Sequence, residues 1–415
     1  MKVCIHRGSH QIGGNCVEIA TESTRLILDV GQPLEAMNWT PEERKRNAID
    51  PVIKAVFAKD QPVDAILLSH AHADHSGLLA QSPSEVPVWL GKGTSKMLQV
   101  GSIYAGQIAL PRERQKILSE RIPQRIGDIT VTGYPVDHSV FGSMAFLIEA
   151  DGKRVLYSGD LRLHGRKPGM ARSIIADLAG KLDGLLMEGT HLTSGGTKGP
   201  TEKQLEDEIV KDIKGHQGLV MACFSPTHVD RLVTFFKATL RSGRVFVADH
   251  YTAFVLHMVA GEVPKIPKPS AKEIRVFGPM YQKRIAKVAR LYAHNEISLG
   301  EILSEPNSYV MIFRPSMLER DFKGVLPSGV QCIYSYWSGY LDKPDFQILQ
   351  AKVAEAGGEF HEHHTSGHIF ALDTEAFVKA LAPKTLVPIH TDHPEEFLRR
   401  FPNARLLGDD ETWTL

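Results

Sequence analysis

The sequence predicts a mixed α/β protein, a strand-rich body accompanied by a separate, smaller α/β domain. Three observations lead there. Short apolar runs such as Ala65-Ile66-Leu67-Leu68 and Leu386-Val387-Pro388-Ile389 read as buried strands, and polar residues follow them. Between residues 218 and 334, strand-like and helix-like stretches alternate, the βαβα rhythm of a sheet covered by helices. A chain of 415 residues with 42% hydrophobic and 23% charged side chains suits two or three domains with a sizeable core.

Taken in order, Val3 to His6, Cys16 to Ala20 and Arg25 to Asp29 read as three short strands. The turn GSHQIGGN between the first two lacks the GxxxxGK[ST] spacing of a phosphate loop, so its glycines signal backbone freedom only. Asp29, emerging from an apolar strand, is a candidate to orient a ligand histidine. Next comes LLSHAHADHSGLL, in which His70, His72, Asp74 and His75 follow a buried strand ending at Ser69, and Ser76 to Leu79 opens a helix. A strand end feeding a helix is where open α/β sheets hold ligands. In extended chain His70 and His72 share a face, and a bend near Asp74 returns His75 to the same centre. Imidazole and carboxylate without thiolate suit zinc or another borderline divalent metal.

From Ile129 to Asp160 a meander of strands is expected, with Asp151-Gly152 as a hairpin turn. His138 and Asp160 sit at strand ends there, and LDGLLMEGTHL is a further strand ending at Glu188. SGGTKGPTEK, residues 194 to 203, reads as a linker. Beyond it, Gly218 to Phe224, Val245 to Ala248, Asn307 to Phe313 and Gln331 to Tyr334 are expected strands. Val229 to Leu240 and Met280 to Tyr292 are expected helices. This domain shows no GxGxxG and no catalytic cluster, so it reads as a partner surface. HEHHTSGHIF then brings His361, His363, His364 and His368, of which His361 and His363 read as solvated loop histidines. A helix from Thr374 to Leu381 precedes the strand that ends at His390.

Bulk composition excludes little. Lys+Arg and Asp+Glu both total 48, so no global field advertises nucleic acid or membrane, although a local groove would suffice. The 4 cysteines are scattered and read as reduced, mostly buried thiols. Without a signal core or an 18-residue apolar run, the expected location is the cytoplasm, with no membrane partner. The pieces fit one binuclear centre built from His70, His72, Asp74, His75, His138, Asp160 and His390, since two divalent ions need roughly six or seven ligands with a shared acid.

HAHADH matches the HxHxDH signature, and the chain resembles the metallo-β-lactamase superfamily. The resemblance implies an αββα sandwich, with His70, His72 and His138 on one metal, Asp74, His75 and His390 on the other, and Asp160 bridging. MEGTHL, the α/β insertion, HTSGH and VPIH resemble the β-CASP branch of nucleases, and HTSGH with Cys223-Phe224-Ser225-Pro226 is similar to the ribonuclease J family. That likeness implies three segments: 1–195 and 346–415 forming the metallo-β-lactamase domain, and 196–345 the inserted β-CASP domain. It makes Glu188 an acidic residue behind the metals and gives Asp74, Asp160 and His368 catalytic roles. His364, Ser366 and His368 would then meet the substrate phosphate. Three departures stand out: the chain ends at Leu415 without that family's usual further domain, Thr391-Asp392 replaces Gly-Glu, and SHQIGGN differs in detail.

The expected cofactors are two divalent ions, zinc first and manganese second. The expected reaction is hydroxide attack, assisted by both ions, on a phosphodiester of single-stranded RNA, endonucleolytic or from the 5′ end. Lys265, Lys268, Lys272, Arg275, Lys283, Arg284, Lys287 and Arg290, with Phe277 and Tyr281, are candidate RNA contacts. Arg112, Arg114, Lys116, Arg121 and Arg125 form a second candidate run. The alternatives are hydrolysis of a small ester, thioester, lactone or phosphodiester, and an inactive scaffold. Both monomer and homodimer remain open.

Overall fold

The computed structural model describes every residue except 41, 44–47, 108, 193–197 and 279–284. Among the described residues the chain lays down three sheets in succession and then revisits the first two. The first sheet takes β1 (Lys2–Arg7), β2 (Cys16–Ala20), β3 (Arg25–Leu28), β4 (Ala65–Leu68), β5 (Val88–Gly91) and β6 (Gln115–Leu118). The second takes β7 (Gln124–Ile126), β8 (Ile129–Pro135), β9 (Met144–Ala150), β10 (Lys153–Tyr157) and β11 (Gly184–Glu188).

The third sheet takes β12 (Val220–Cys223), β13 (Val245–Asp249), β14 (Ile274–Phe277), β15 (Glu296–Ile297), β16 (Tyr309–Ile312), β17 (Gln331–Tyr334) and β18 (Glu359–Glu362). Finally β19 (Thr385–Ile389) joins the second sheet beside β11, and β20 (Thr412–Thr414) joins the first beside β1.

The chain divides into two compact units, Met1–Gly199 with Gly367–Leu415, and Pro200–Ser366. In the first unit the period-2 alternation of strands sorts side chains between two cores. Phe146 and Ile148 of β9, Val155 and Tyr157 of β10 and Val387 of β19 join Val3, Ile5, Leu26 and Leu67 of the first sheet. Their neighbours Leu147, Leu156 and Leu386 face the opposite side, against Ile174 and Leu178 of the helix Gly169–Leu178 and Phe377 of the helix Ala371–Leu381. Two sheets thus pack face to face with helices outside them, the sandwich architecture expected. The Asp151-Gly152 hairpin forms as expected, with φ of 53° and 69° at its two central residues.

In the second unit every strand pairing is parallel, in the order β15-β14-β13-β16-β12-β17-β18. Both faces are buried, Met221, Met311 and Cys332 on one and Ala222, Ile312 and Ile333 on the other, which explains why these strands read as continuous apolar runs. Residues 346–366 belong here, not to the return segment, because the helix Pro344–Glu355 leads into β18, which pairs in parallel with β17. His361 accordingly lies in a strand, and the solvated-loop reading fails for it.

The first four residues of the expected linker, 194–197, and the start of the expected helix, at 280–284, lie outside the described residues; the described remainder of that helix is Ala286–Ala289 followed by a 3-10 turn. All 4 cysteines are free and buried. Among the described residues no helix is long and apolar enough to cross a membrane.

Candidate metal centre

Strand ends position the centre. Asp29 follows β3, His70 follows β4, His138 and Asp160 lie in the loops after β8 and β10, Glu188 ends β11, and His390 follows β19. The helix after β4 differs from expectation: it is one turn, Ala73–Ser76, with His72 as its N-cap residue, so Asp74 and His75 lie inside it. A tight approach makes this turn fit, since a Cβ on Gly31 would sit 1.8 Å from the Asp74 carbonyl oxygen. Asp29 and His390 both adopt left-handed backbone, with φ of 60° and 51°. Side chains other than glycine rarely hold that conformation unless the surroundings enforce it. Here the His390 N–H donates to the Gly8 carbonyl and the Asp29 N–H to that of Leu67.

Two groups of donors could each hold a cation: His70, His72 and His138, and Asp74, His75, Asp160 and His390. In the first, His72 Nδ1 lies 3.2 Å from His70 Nε2 and 3.1 Å from His138 Nε2. Ligand atoms about 2.0–2.1 Å from a tetrahedral zinc stand roughly 3.3 Å apart, so this spacing fits an ion with little rearrangement. In the second group, His390 Nε2 is 3.4 Å from Asp74 Oδ2 and His75 Nε2 is 3.8 Å from it. Asp160 Oδ2 stands between the groups, 3.1 Å from His75, 3.6 Å from His70 and 3.8 Å from both His138 and His390. Both Asp160 oxygens are buried without a hydrogen-bond partner among the described residues. A buried, unsatisfied carboxylate is costly, and a cation is the natural partner.

The outer nitrogens decide which lone pairs face inward. His75 Nδ1 donates to Asp29 Oδ2 at 2.8 Å, and His138 Nδ1 donates to the Gly367 carbonyl at 2.6 Å. The Ser69 hydroxyl donates to Asp29 and so accepts from His70 Nδ1 at 3.0 Å. The Thr190 hydroxyl donates to Glu188 and so accepts from His390 Nδ1 at 2.9 Å. Each of these four rings is thereby left with its Nε2 as the metal-competent acceptor, the arrangement by which outer partners orient ligand histidines.

Electrostatics agrees. Burial, reinforced by neighbouring imidazoles, holds His70 and His138 well below the usual histidine range and His72 at about 4, so all three are neutral and able to coordinate. Burial opposes charge on Asp160 too, but His390, His75 and His368 outweigh it and keep its carboxyl ionised. His75 is pushed well above its usual value despite burial, because Asp160, Asp74 and Asp29 surround it. That negative field favours a divalent cation equally.

Behind the centre, Asp29 is fully buried and accepts from His75, Ser69 and Tyr157. Glu188 is equally buried and its Oε2 accepts from His368 Nδ1 at 2.9 Å. Burial alone would lower the His368 pKa; Glu188 and Asp160 outweigh it and raise it to about 9. Thr190, Ser69 and Tyr157 escaped the sequence reading, although Thr190 follows Glu188 within the strand-end segment MEGTHL and was the one most open to notice. His364 and Ser366 lie in the second unit, where His364 Nδ1 is 3.3 Å from the Ser335 carbonyl oxygen.

Two expected RNA contacts are buried instead: Phe277 packs in the core of the parallel sheet, and Arg114 is committed to Ser82 and the Val86 carbonyl. Lys283, Arg284 and Tyr281 lie outside the described residues.

Residues 45–214 match the model of the family described as the beta-lactamase superfamily domain. The chain is 25% identical over 297 residues to an RNase J-like protein of Methanocaldococcus jannaschii, covering 66% of this chain and 65% of that one. It is 22% identical over 404 residues to ribonuclease J of Helicobacter pylori, covering 93% and 55%. It is 27% identical over 422 residues to ribonuclease J of Mycolicibacterium smegmatis, covering 94% and 68%. The chain thus spans between about half and two thirds of the length of these relatives. A crystal structure of a protein of unknown function from Enterococcus faecalis superposes with a TM-score of 0.83 at 23% identity, covering 100% of this chain and 99% of that one, and shows the same fold. Over residues 45–214 the chain is thus similar to the beta-lactamase superfamily domain, and over most of its length, at low identity, to proteins named ribonuclease J.

Proposed function

We propose that the chain is a cytoplasmic, metal-dependent hydrolase of the β-CASP branch that cleaves phosphodiester bonds of single-stranded RNA, with Pro200–Ser366 as its β-CASP domain. The observation that carries this reading is the buried Asp160 carboxylate, free of hydrogen bonds and ringed by imidazole nitrogens. His70, His72 and His138 would hold one divalent ion, Asp74, His75 and His390 a second, and Asp160 both; zinc suits the donors, with manganese as the alternative. Bound there, such ions supply Lewis acidity, lowering the pKa of water from about 15.7 towards 7 and offsetting charge on a phosphate.

The residues around them then divide the work. Asp74 and Asp160 accept hydrogen bonds from the attacking water and align it with the phosphorus. His368, oriented by Glu188, delivers a proton to the departing oxygen, and His364 and Ser366 are proposed as phosphate-binding residues. The relatives named ribonuclease J and the TSGH element favour RNA over a small ester or lactone.

The test is incubation with 5′-end-labelled single-stranded RNA and the matching DNA, with and without chelator. RNA cleavage that EDTA abolishes and zinc or manganese restores is expected. A mononucleotide product identifies 5′-exonuclease action and a ladder endonuclease action. Chelator-resistant cleavage, or none by metal-loaded protein, refutes the reading. Cleavage of long RNA is also expected to fall steeply between roughly 50 and 200 mM salt, as counterion release requires of a basic track. A flat profile would exclude such a track.

A further inference from the structure

We propose that Asp212, His361 and His363 form a separate divalent-cation site in the second unit, of the class that takes zinc. The pattern is local and simple. His361 lies in β18 and His363 just past its end, where its N–H still donates to the Tyr334 carbonyl, so the two side chains, two residues apart in extended chain, share a face. Asp212 and Glu208 are four apart on the helix Glu202–Gly215, so they also share a face. These two faces meet: Asp212 Oδ2 is 2.7 Å from His361 Nδ1 and 2.6 Å from His363 Nε2. The three side chains are half-buried, His361 at 34%, His363 at 17% and Asp212 at 20% exposure, open enough for an ion to enter.

A second observation sets this cluster apart from an ordinary ion pair. The far nitrogen of each ring also faces a carboxylate, His361 Nε2 that of Glu359 and His363 Nδ1 that of Glu208, both at 3.4 Å. This is the carboxylate–histidine–metal relay found behind ligand histidines, present here on both rings. Three carboxylates around two imidazoles also leave local negative charge, which a divalent ion offsets. Two nitrogens and one oxygen without thiolate suit zinc, with water completing the shell. Seating it asks Asp212 to withdraw by roughly 0.6 Å, since ligand atoms on tetrahedral zinc stand about 3.3 Å apart.

The ion would clip the edge strand of the parallel sheet to a helix, immediately before the turn that carries His364 and Ser366. Edge strands commonly carry charge to discourage pairing with other chains. That role alone does not call for convergent donors.

The experiment compares zinc bound per chain, by mass spectrometry of the desalted, zinc-saturated full-length protein, between the parent and a His361→Ala/His363→Ala variant. One ion fewer in the variant is expected, together with a smaller zinc-dependent rise in melting temperature. Equal zinc content and an equal rise overturn the proposal. Should the double variant lose the parent's circular dichroism, the near-isosteric Asp212→Asn decides by the same two readouts. Ions at the Asp160 centre are common to all three proteins, so the difference reports this site alone, whatever the substrate proves to be.

Discussion

An Asp160→Ala protein is expected to lose RNA cleavage by roughly 10³-fold or more while keeping the parent's circular dichroism. The reason is geometric: Asp160 Oδ2 lies within 3.1–3.8 Å of His75, His70, His138 and His390, two donors from each group. Removing it leaves the first group with three imidazoles and deprives the second of one of its two carboxylates. The loss is expected in kcat, because in the proposed mechanism the side chain acts on the nucleophile rather than where the nucleic acid is held. Bound metal should fall by at least one ion per chain in the same protein. Parent-like cleavage by this variant would exclude the centre from catalysis altogether.

A Glu202→Ala protein is expected to destabilise the second unit by about 3–5 kcal/mol, the usual cost of stripping one partner from a buried ion pair. Glu202 and Arg231 are both fully buried, with Arg231 Nη2 donating to Glu202 Oε1 at 3.1 Å and Thr234 to Glu202 Oε2 at 2.8 Å. The same guanidinium donates to the carbonyls of Ser335 and Thr365, at 2.8 and 3.1 Å. Thr365 lies between His364 and Ser366, so this pair also fixes the turn that carries them. Chemical denaturation measures the effect. A change below about 1 kcal/mol would show that the pair contributes little, as for exposed ion pairs.

The two cases differ in how far a sequence exposes them. The grouping of the seven candidate donors was legible because strand ends and a six-residue signature are local patterns, and strands carry their terminal residues to predictable edges of a sheet. Asp29 was legible for the same reason, as a carboxylate at the close of an apolar run. The Glu202–Arg231 pair was not: two charged residues on consecutive helices carry no sign that both are buried. Phe277 and Arg114 misled in the opposite sense, since a basic or aromatic residue in a charged stretch gives no indication of which face it occupies. The return to the first unit was misjudged near 346 because a parallel edge strand such as β18, GluPheHisGlu, has neither the apolar run nor the alternation that marks interior strands. The one-turn helix after β4 was misplaced because His72 precedes it without any side-chain cap.

The order in which the sheets are laid down has a consequence for synthesis on the ribosome. β19 completes the second sheet against β11 only after the whole of Pro200–Ser366 has intervened. Glu188 and His390 are therefore separated by roughly 200 residues of translation, about 10–40 s at about 5–20 residues per second. During that interval the nascent chain holds the HAHADH donors but lacks His368 and His390. The donor set would thus remain chemically incomplete until the codon for His390 has been read.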